Sequence, residues 1–259
     1  MNSKLFMDGW RGNIGLICPP DTSIGVEELK SICPDGLAVH QTFLPLNDKE
    51  EMMTEQQRID AMIGGLENAV RTLDLVGVDV IGQFGAPFLF TKKIEFGTYL
   101  EKTLSNISKT PVILMALATV EAIKHLGVRR INAVTYYSDN FNAHYKRYLE
   151  ESGLVVSSIT GLPETSSVKP PSPKYAEISE GRIFRFAKSV FLKKQDADCL
   201  LLSGGGCRTF NIIEPLEEDL GIPVVSSNSA FFWKILSELR IGHKIVGHGK
   251  LLSQLFRNV

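Results

Sequence analysis

The feature that narrows the fold most is a repeat. Asn13 to Cys18, Gly36 to Phe43, Val78 to Phe84 and Pro111 to Met115 are apolar runs of strand length. The segments between them carry helical spacing, among them a long stretch from Ile59 to Leu73. Then the pattern begins again. Arg130 to Tyr136, Gly153 to Ile159, Cys199 to Ser203 and Pro223 to Ser227 read as strands. Helices are predicted between and after them at Asp139–Glu151, Ala176–Lys193, Phe210–Leu220 and Ala230–Leu239. Gly36-Leu37 recurs as Gly153-Leu154, and Ile14 recurs as Ile131, both 117 residues on (153 − 36 and 131 − 14). Strands joined through helices pair in parallel, because each helix carries the chain back to the end where it started.

The sequence therefore predicts an α/β fold of two pseudo-symmetric, four-stranded, parallel-sheet lobes. Residues 1–127 form the first lobe and 128–228 the second, with 229–259 packing back on the first. In such sheets ligands bind beyond the carboxyl ends of the strands. A cleft between the lobes is then lined by Pro19 and the Gly85-Ala86-Pro87 turn on one side. Tyr137, Ser138 and Ser203-Gly204-Gly205-Gly206 line the other.

Composition excludes several classes of partner. Twenty-eight Lys and Arg face 29 Asp and Glu, for a formal charge of −1, so neither nucleic acid nor an anionic membrane surface is expected. No apolar run approaches the length of a membrane span. The four cysteines, Cys18, Cys33, Cys199 and Cys207, have no metal-ligand or C-x-x-C spacing, and a cytoplasmic protein with reduced thiols and no metal is expected.

The stretch with most chemistry is Asp198 to Thr209. A buried strand, three glycines and a helix opening from Arg208 make an anion site, because free N–H groups and the positive end of the helix dipole converge there. A substrate carboxylate is the expected occupant. A dinucleotide fits poorly, since position 209 is Thr where the fingerprint needs a third glycine, and no P-loop lysine follows. A purely structural glycine turn is the alternative.

Acid/base candidates lie nearby. Cys207, in the expected first turn of the helix, is either a thiol whose pKa the dipole lowers or a small buried packing residue. His40, at the far end of the second strand, is either a neutral-range titrating group or a hydrogen-bonded structural histidine. Asp21 or Thr22 caps the first helix, and Cys18, which ends the first strand, either packs in the core or reaches the cleft floor. His248 stands in the tail, in Gly247-His248-Gly249. The proline- and serine-rich loop Pro163–Lys174 is a candidate lid.

These residues resemble the aspartate/glutamate racemase superfamily, in the branch holding arylmalonate decarboxylase and maleate cis-trans isomerase. The resemblance rests on Ile14-Gly15-Leu16-Ile17-Cys18-Pro19-Pro20, Leu126-Gly127-Val128-Arg129-Arg130, Tyr137 with Asp139 and Asn142, Leu201 to Gly205, and Pro223 to Asn228 with Trp233. It implies a cofactor-independent enzyme acting on a small-molecule carboxylate or dicarboxylate. The family's two cysteines follow the third strand of each lobe, where this chain has Gly85 and Gly204. A two-base racemase, which needs a proton shuttle on each face of the substrate, is therefore not expected. The resemblance makes Tyr137 a carboxylate ligand and favours decarboxylation of a malonate-type acid through an enediolate, with Cys207 as proton donor. A cis-trans isomerase, lyase or hydratase using His40, Cys207 or Tyr137 is the alternative, as is a non-catalytic carboxylate binder. Monomer and homodimer are both open.

Overall fold

The computed structural model describes residues 9–19, 22–44, 55–165 and 177–254. Asp21 and the loop beyond Thr165 fall outside them.

Two four-stranded sheets form. The first contains β1 (Gly12–Cys18), β2 (Leu37–Phe43), β3 (Val80–Gln83) and β4 (Val112–Leu114), in the order β2-β1-β3-β4. The second contains β5 (Arg130–Thr135), β6 (Val155–Gly161), β7 (Cys199–Ser203) and β8 (Val224–Ser226), in the order β6-β5-β7-β8. Every pairing is parallel. Adding four to each label of the first sheet gives the second, so the sequence repeat is a repeat in space. Register agrees with it: Gly12 pairs with Leu37 and Arg130 with Val155, 25 residues on in each case (37 − 12 and 155 − 130). The glycine repeated before β2 and β6 has the same use. Gly36 and Gly153 take φ of +85° and +87°, a turn that side chains resist.

Helices cover both sheets: α1 (Ser23–Ser31), α2 (Glu55–Val76), α3 (Pro87–Phe90), α4 (Ile94–Ser108) and α5 (Met115–His125) in the first half. In the second are α6 (Asp139–Glu151), α7 (Glu180–Lys193), α8 (Phe210–Leu220), α9 (Ser227–Glu238) and α10 (Lys250–Ser253). Several of these differ from expectation, α5 among them, which begins at Met115 rather than Thr119. The single turn α3 is new, with Pro87 at its start. α9 begins at Ser227 rather than Ala230, because Ser226 and Ser229 form a reciprocal capping box at the end of β8. α7 begins at Glu180 rather than Ala176, where the Ser179 hydroxyl accepts from Arg182 N. Thr22 precedes α1, but its hydroxyl donates back to the Pro19 carbonyl at 2.8 Å instead of capping the helix.

The central strands β1 and β7 are buried throughout, as parallel strands covered on both faces must be. Aromatic contacts join the two halves. Phe90 of α3 stacks on Tyr145 of α6 with ring centroids 3.9 Å apart, and lies 5.8 Å from Tyr137. Phe84, just past β3, meets Phe231 of α9 edge-on at 5.2 Å. α9 also lies along α5, with Lys234 2.6 Å from Glu121 and Trp233 against His125. Among the described residues no helix is long and apolar enough to cross a membrane.

Phe90 is buried between α3 and α6. Phe90→Ala is expected to cost about 3–5 kcal/mol of unfolding free energy, since the site has few ways to collapse. Urea denaturation checks this; a loss below about 1 kcal/mol would show that the contact between the sheets is not held there.

Candidate functional site

The carboxyl ends of β1, β3, β5, β7 and β8 converge. A Cβ built on Gly85 would lie 3.0 Å from Pro19 Cγ, so the ends of β3 and β1 adjoin. A Cβ on Gly205 would lie 2.8 Å from Phe84 Cε1, and one on Gly25 of α1 would lie 2.3 Å from the Gly205 carbonyl. The turn after β7 is thus pressed against the first sheet's strand ends and against α1.

Gly204 is the most constrained position. Its φ is +144°, and a Cβ there would fall 1.9 Å from Tyr136 Cδ2. The Tyr136 ring occupies the space that any side chain at 204 would need. The glycines were expected to let a ligand approach; at Gly204 and Gly205 the close neighbours are protein groups instead. The N–H groups of Gly205 and Gly206 still donate to no acceptor among the described residues.

Hydroxyls surround this turn. Ser203, fully buried, hydrogen-bonds with the Tyr145 hydroxyl and accepts from Ser227 Oγ at 3.3 Å. Gln83 at the end of β3 donates to the Phe84 and Gly85 carbonyls at 2.6 and 2.7 Å and fixes the Gly85 turn. Ala86 is the N-cap of α3 and Pro87 its first residue; both sit beside that turn. Tyr137 is half-buried, with its ring among Phe90, Phe141 and Tyr145. The Ser138 hydroxyl caps α6 by accepting from Phe141 N at 3.4 Å.

The helix dipole reading is corrected. α8 starts at Phe210, with Thr209 as its N-cap, and its amide cradle is already filled. Glu28 of α1 accepts from Thr209 N and, at 2.6 Å, from Phe210 N. Its other oxygen accepts from Asn228 Nδ2 at 2.9 Å. The protein's own carboxylate therefore occupies the place where a substrate carboxylate was expected. Burial pushes the Glu28 carboxyl above its usual 4.5, against the lowering effect of those hydrogen bonds.

Cys207 lies in the turn, three residues before α8, and is buried. Burial pushes its thiol up to about 12, only partly offset by a hydrogen bond with Tyr136, and the Glu28 charge raises it further. The lowered thiol pKa expected from a helix N-terminus does not arise. Tyr136 is itself buried, and its hydroxyl, which faces Cys207, has no nitrogen or oxygen partner among the described residues.

His40 is not at a strand end. It stands mid-way along β2, paired with Gly15, three residues before the last. Strand alternation puts it on the face that Gly15 turns toward Leu73 of α2, opposite Cys18 and Gln41. It is not gathered with the other candidates. His248 packs on Phe210 with Nδ1 3.3 Å from the Phe210 carbonyl, at the outer side of the α8 start. Cys18 is buried beside Thr22 and Gln41, with its thiol pushed up to about 12 by burial.

Glu28, Tyr136 and Gln83 were not singled out from the sequence. Gln83 carried a signal, a lone amide in the apolar run Val78 to Phe84. Glu28 carried little, since a glutamate on a short helix usually faces water.

A two-lobed parallel α/β protein with a polar, glycine-built junction at its strand ends is the class that fold and site define. The arylmalonate decarboxylase family model matches residues 14–252, and the chain belongs to that family. It is 27% identical over 242 residues to arylmalonate decarboxylase of Bordetella bronchiseptica, covering 93% of this chain and 96% of that protein. It is also 27% identical to maleate isomerase of Geobacillus stearothermophilus, over 155 residues and 58% of each chain. The structure of unliganded arylmalonate decarboxylase superposes with a TM-score of 0.78 at 27% identity, covering 94% of this chain and 99% of the other. These relatives are enzymes, a decarboxylase and an isomerase.

Two outcomes follow from this geometry. Gly204→Ala and Tyr136→Ala are expected to be coupled, the double variant losing about 0.5–3 kcal/mol less than the two single losses combined. Strict additivity in urea unfolding would mean that the ring does not occupy the 204 side-chain space. Cys207, protonated and buried, is expected to resist iodoacetamide in the folded protein from pH 7 to 9 and to react after unfolding, as read by peptide mass spectrometry. Rapid alkylation in the folded protein would contradict its placement.

Proposed function

We propose that the protein is a cofactor-independent enzyme acting on a small carboxylate or dicarboxylate, and that its reaction is decarboxylation of a malonate-type acid through an enediolate. The observation that carries this reading is the turn after β7. It offers the unengaged N–H groups of Gly205 and Gly206 next to the protic side chains of Ser203, Tyr145 and Cys207.

The steps balance without a co-reactant. The bond from the α-carbon to one carboxylate breaks and carbon dioxide leaves. The electron pair stays on the remaining carboxylate as an enediolate, whose oxygens the turn amides receive. Donors placed where charge develops lower the barrier more than donors matched to the ground state. Cys207 gives its S–H proton to the α-carbon, and water restores it. On this reading Pro19, Gly85, Ala86 and Pro87 close one wall of the site, while Tyr137 and Ser138 bound the other.

A buried thiol pushed up to about 12 suits this role. It remains protonated at neutral pH, so the proton is in place before the carbanion forms. The similarity to maleate isomerase supports a second reading, cis-trans isomerisation. An isomerase that adds sulfur to a double bond needs the thiolate, and the burial of Cys207 works against forming it.

The test is incubation of the full chain in deuterium oxide with phenylmalonate, methylmalonate and maleate, followed by NMR. Loss of one carboxylate with one deuterium gained at the α-carbon is expected for a malonate, with a fall of at least about 100-fold in Cys207→Ala. Isomerisation of maleate without loss of a carboxylate would support the second reading. Binding without chemistry in any member would identify a carboxylate binder.

A further inference from the structure

Beyond the donor itself, the contact that crosses from one sheet to the other at this site is a carboxylate. Glu28 belongs to α1, the first helix of the chain, yet each of its hydrogen-bond donors lies between positions 209 and 228. One oxygen accepts from the adjacent Thr209 and Phe210 amides. The other accepts from Asn228 Nδ2, and that same nitrogen donates to the Cys207 carbonyl at 3.1 Å. The backbone is therefore tied to Glu28 on both sides of Arg208, directly at 209 and 210 and through Asn228 at 207. Arg208 between the ties is exposed, whereas Cys207 and Thr209 are buried.

An ordinary helix cap does not need this arrangement. Thr209 is a favourable N-cap residue, but its hydroxyl faces Ser226 Oγ at 3.0 Å and the second Glu28 oxygen at 3.5 Å and makes no bond to the amides of α8. The helix takes its cap from 181 positions earlier in the chain. Burying a carboxylate is costly, and a serine or aspartate at 209 would cap α8 without that cost. The use of a group from the other sheet joins two things that a local cap would leave independent, the approach of α1 to the turn and the conformation of residues 207–210. Gly25, one helical turn before Glu28 on the same face of α1, lies directly on the Gly205 carbonyl and allows the close approach.

We propose that Glu28 is a positioning residue: through Thr209, Phe210 and Asn228 it fixes Cys207 so that the thiol stands where the reacting carbon is protonated. This rests on the reading of Cys207 as proton donor. In this arrangement the first sheet supplies no acid or base at the donor side of the site; it supplies the carboxylate that sets the donor's place. On the proposed reading the substrate is held by the Gly205 and Gly206 amides and not by Glu28, so removal of Glu28 acts on turnover rather than on binding.

The test uses the full chain labelled with nitrogen-15, in wild type, Glu28→Gln and Asn228→Ala. In Glu28→Gln the amide presents an NH2 group to donors, and the Thr209, Phe210 and Cys207 amide resonances are expected to move. Turnover of phenylmalonate is expected to lose about 100-fold in kcat, the scale of a misplaced group, with KM within about threefold of wild type. Asn228→Ala, which keeps the carboxylate, is expected to move Cys207 while leaving Phe210 in place, and it stands as the second variant if Glu28→Gln does not fold. Unmoved Cys207 resonances in the folded variants, or an unchanged kcat with moved resonances, would overturn the proposal; so would a loss confined to KM. If the wild-type protein turns over no malonate, the decarboxylase reading fails by itself. The resonances then decide the tie between Glu28 and Cys207.

Discussion

The junction depends on a carboxylate removed from water and held by donors from another part of the chain. Glu28 is stable there only because two backbone amides and a side-chain amide converge on it. Those amides are placed by the ends of β7 and β8, and those strands are placed by a sheet that repeats the first. Without the parallel repeat the start of α8 would not face α1. Without Glu28 that start would present unpaired donors to a buried interface. Fold and site are linked at this point more tightly than by the apolar core, which tolerates rearrangement of similar volumes.

The same crowding explains the glycines. A turn that meets Tyr136 at 204 and Phe84 at 205 has no room for Cβ atoms, and the strand ends come together only because none is there. A stretch that reads as a bare ligand cradle is, at two of its three glycines, a packing surface. What remains for a ligand is the polar edge of the turn: amide hydrogens and the hydroxyls of Ser203 and Tyr145. Protein atoms hold the glycine backbone rigid, and rigid donors serve an oxyanion better than mobile ones, since they cost no reorganisation as charge develops.

The sequence showed the architecture well because architecture is periodic. Apolar runs of strand length, a recurring glycine before β2 and β6 and helical spacing between them are local signals, and all eight strands fall where those signals lie. Element starts were less legible where a helix follows a strand without a loop, as at Met115 and Ser227, since no breaker separates the two periods. The site was legible in part. Gly85, Gly204 and Cys207 lie at the junction, and Tyr137 beside it, because strand ends follow from the strand assignment. The end of β2 was read correctly at Phe43, but His40 is the fourth of its seven residues rather than part of its far end. Glu28 and Tyr136 were missed for a different reason: their roles depend on contacts across 181 and 71 positions (209 − 28 and 207 − 136), which no local pattern encodes.

Burial also bears on which chemistry a thiol at this place can perform. A nucleophilic cysteine needs an electropositive, partly open setting that favours the thiolate. Cys207 has the reverse: it is buried, with a carboxylate nearby, and the Tyr136 hydroxyl offsets these only in part. Burial and the carboxylate both raise the thiol's proton affinity, burial the more strongly. A group so placed holds its proton until a stronger base appears beside it. A carbanion formed by loss of carbon dioxide is such a base, whereas a neutral double bond is not. On the decarboxylase reading, the burial that makes Cys207 a poor nucleophile is also what keeps its proton in place for a carbanion, and the Glu28 carboxylate adds a smaller push in the same direction.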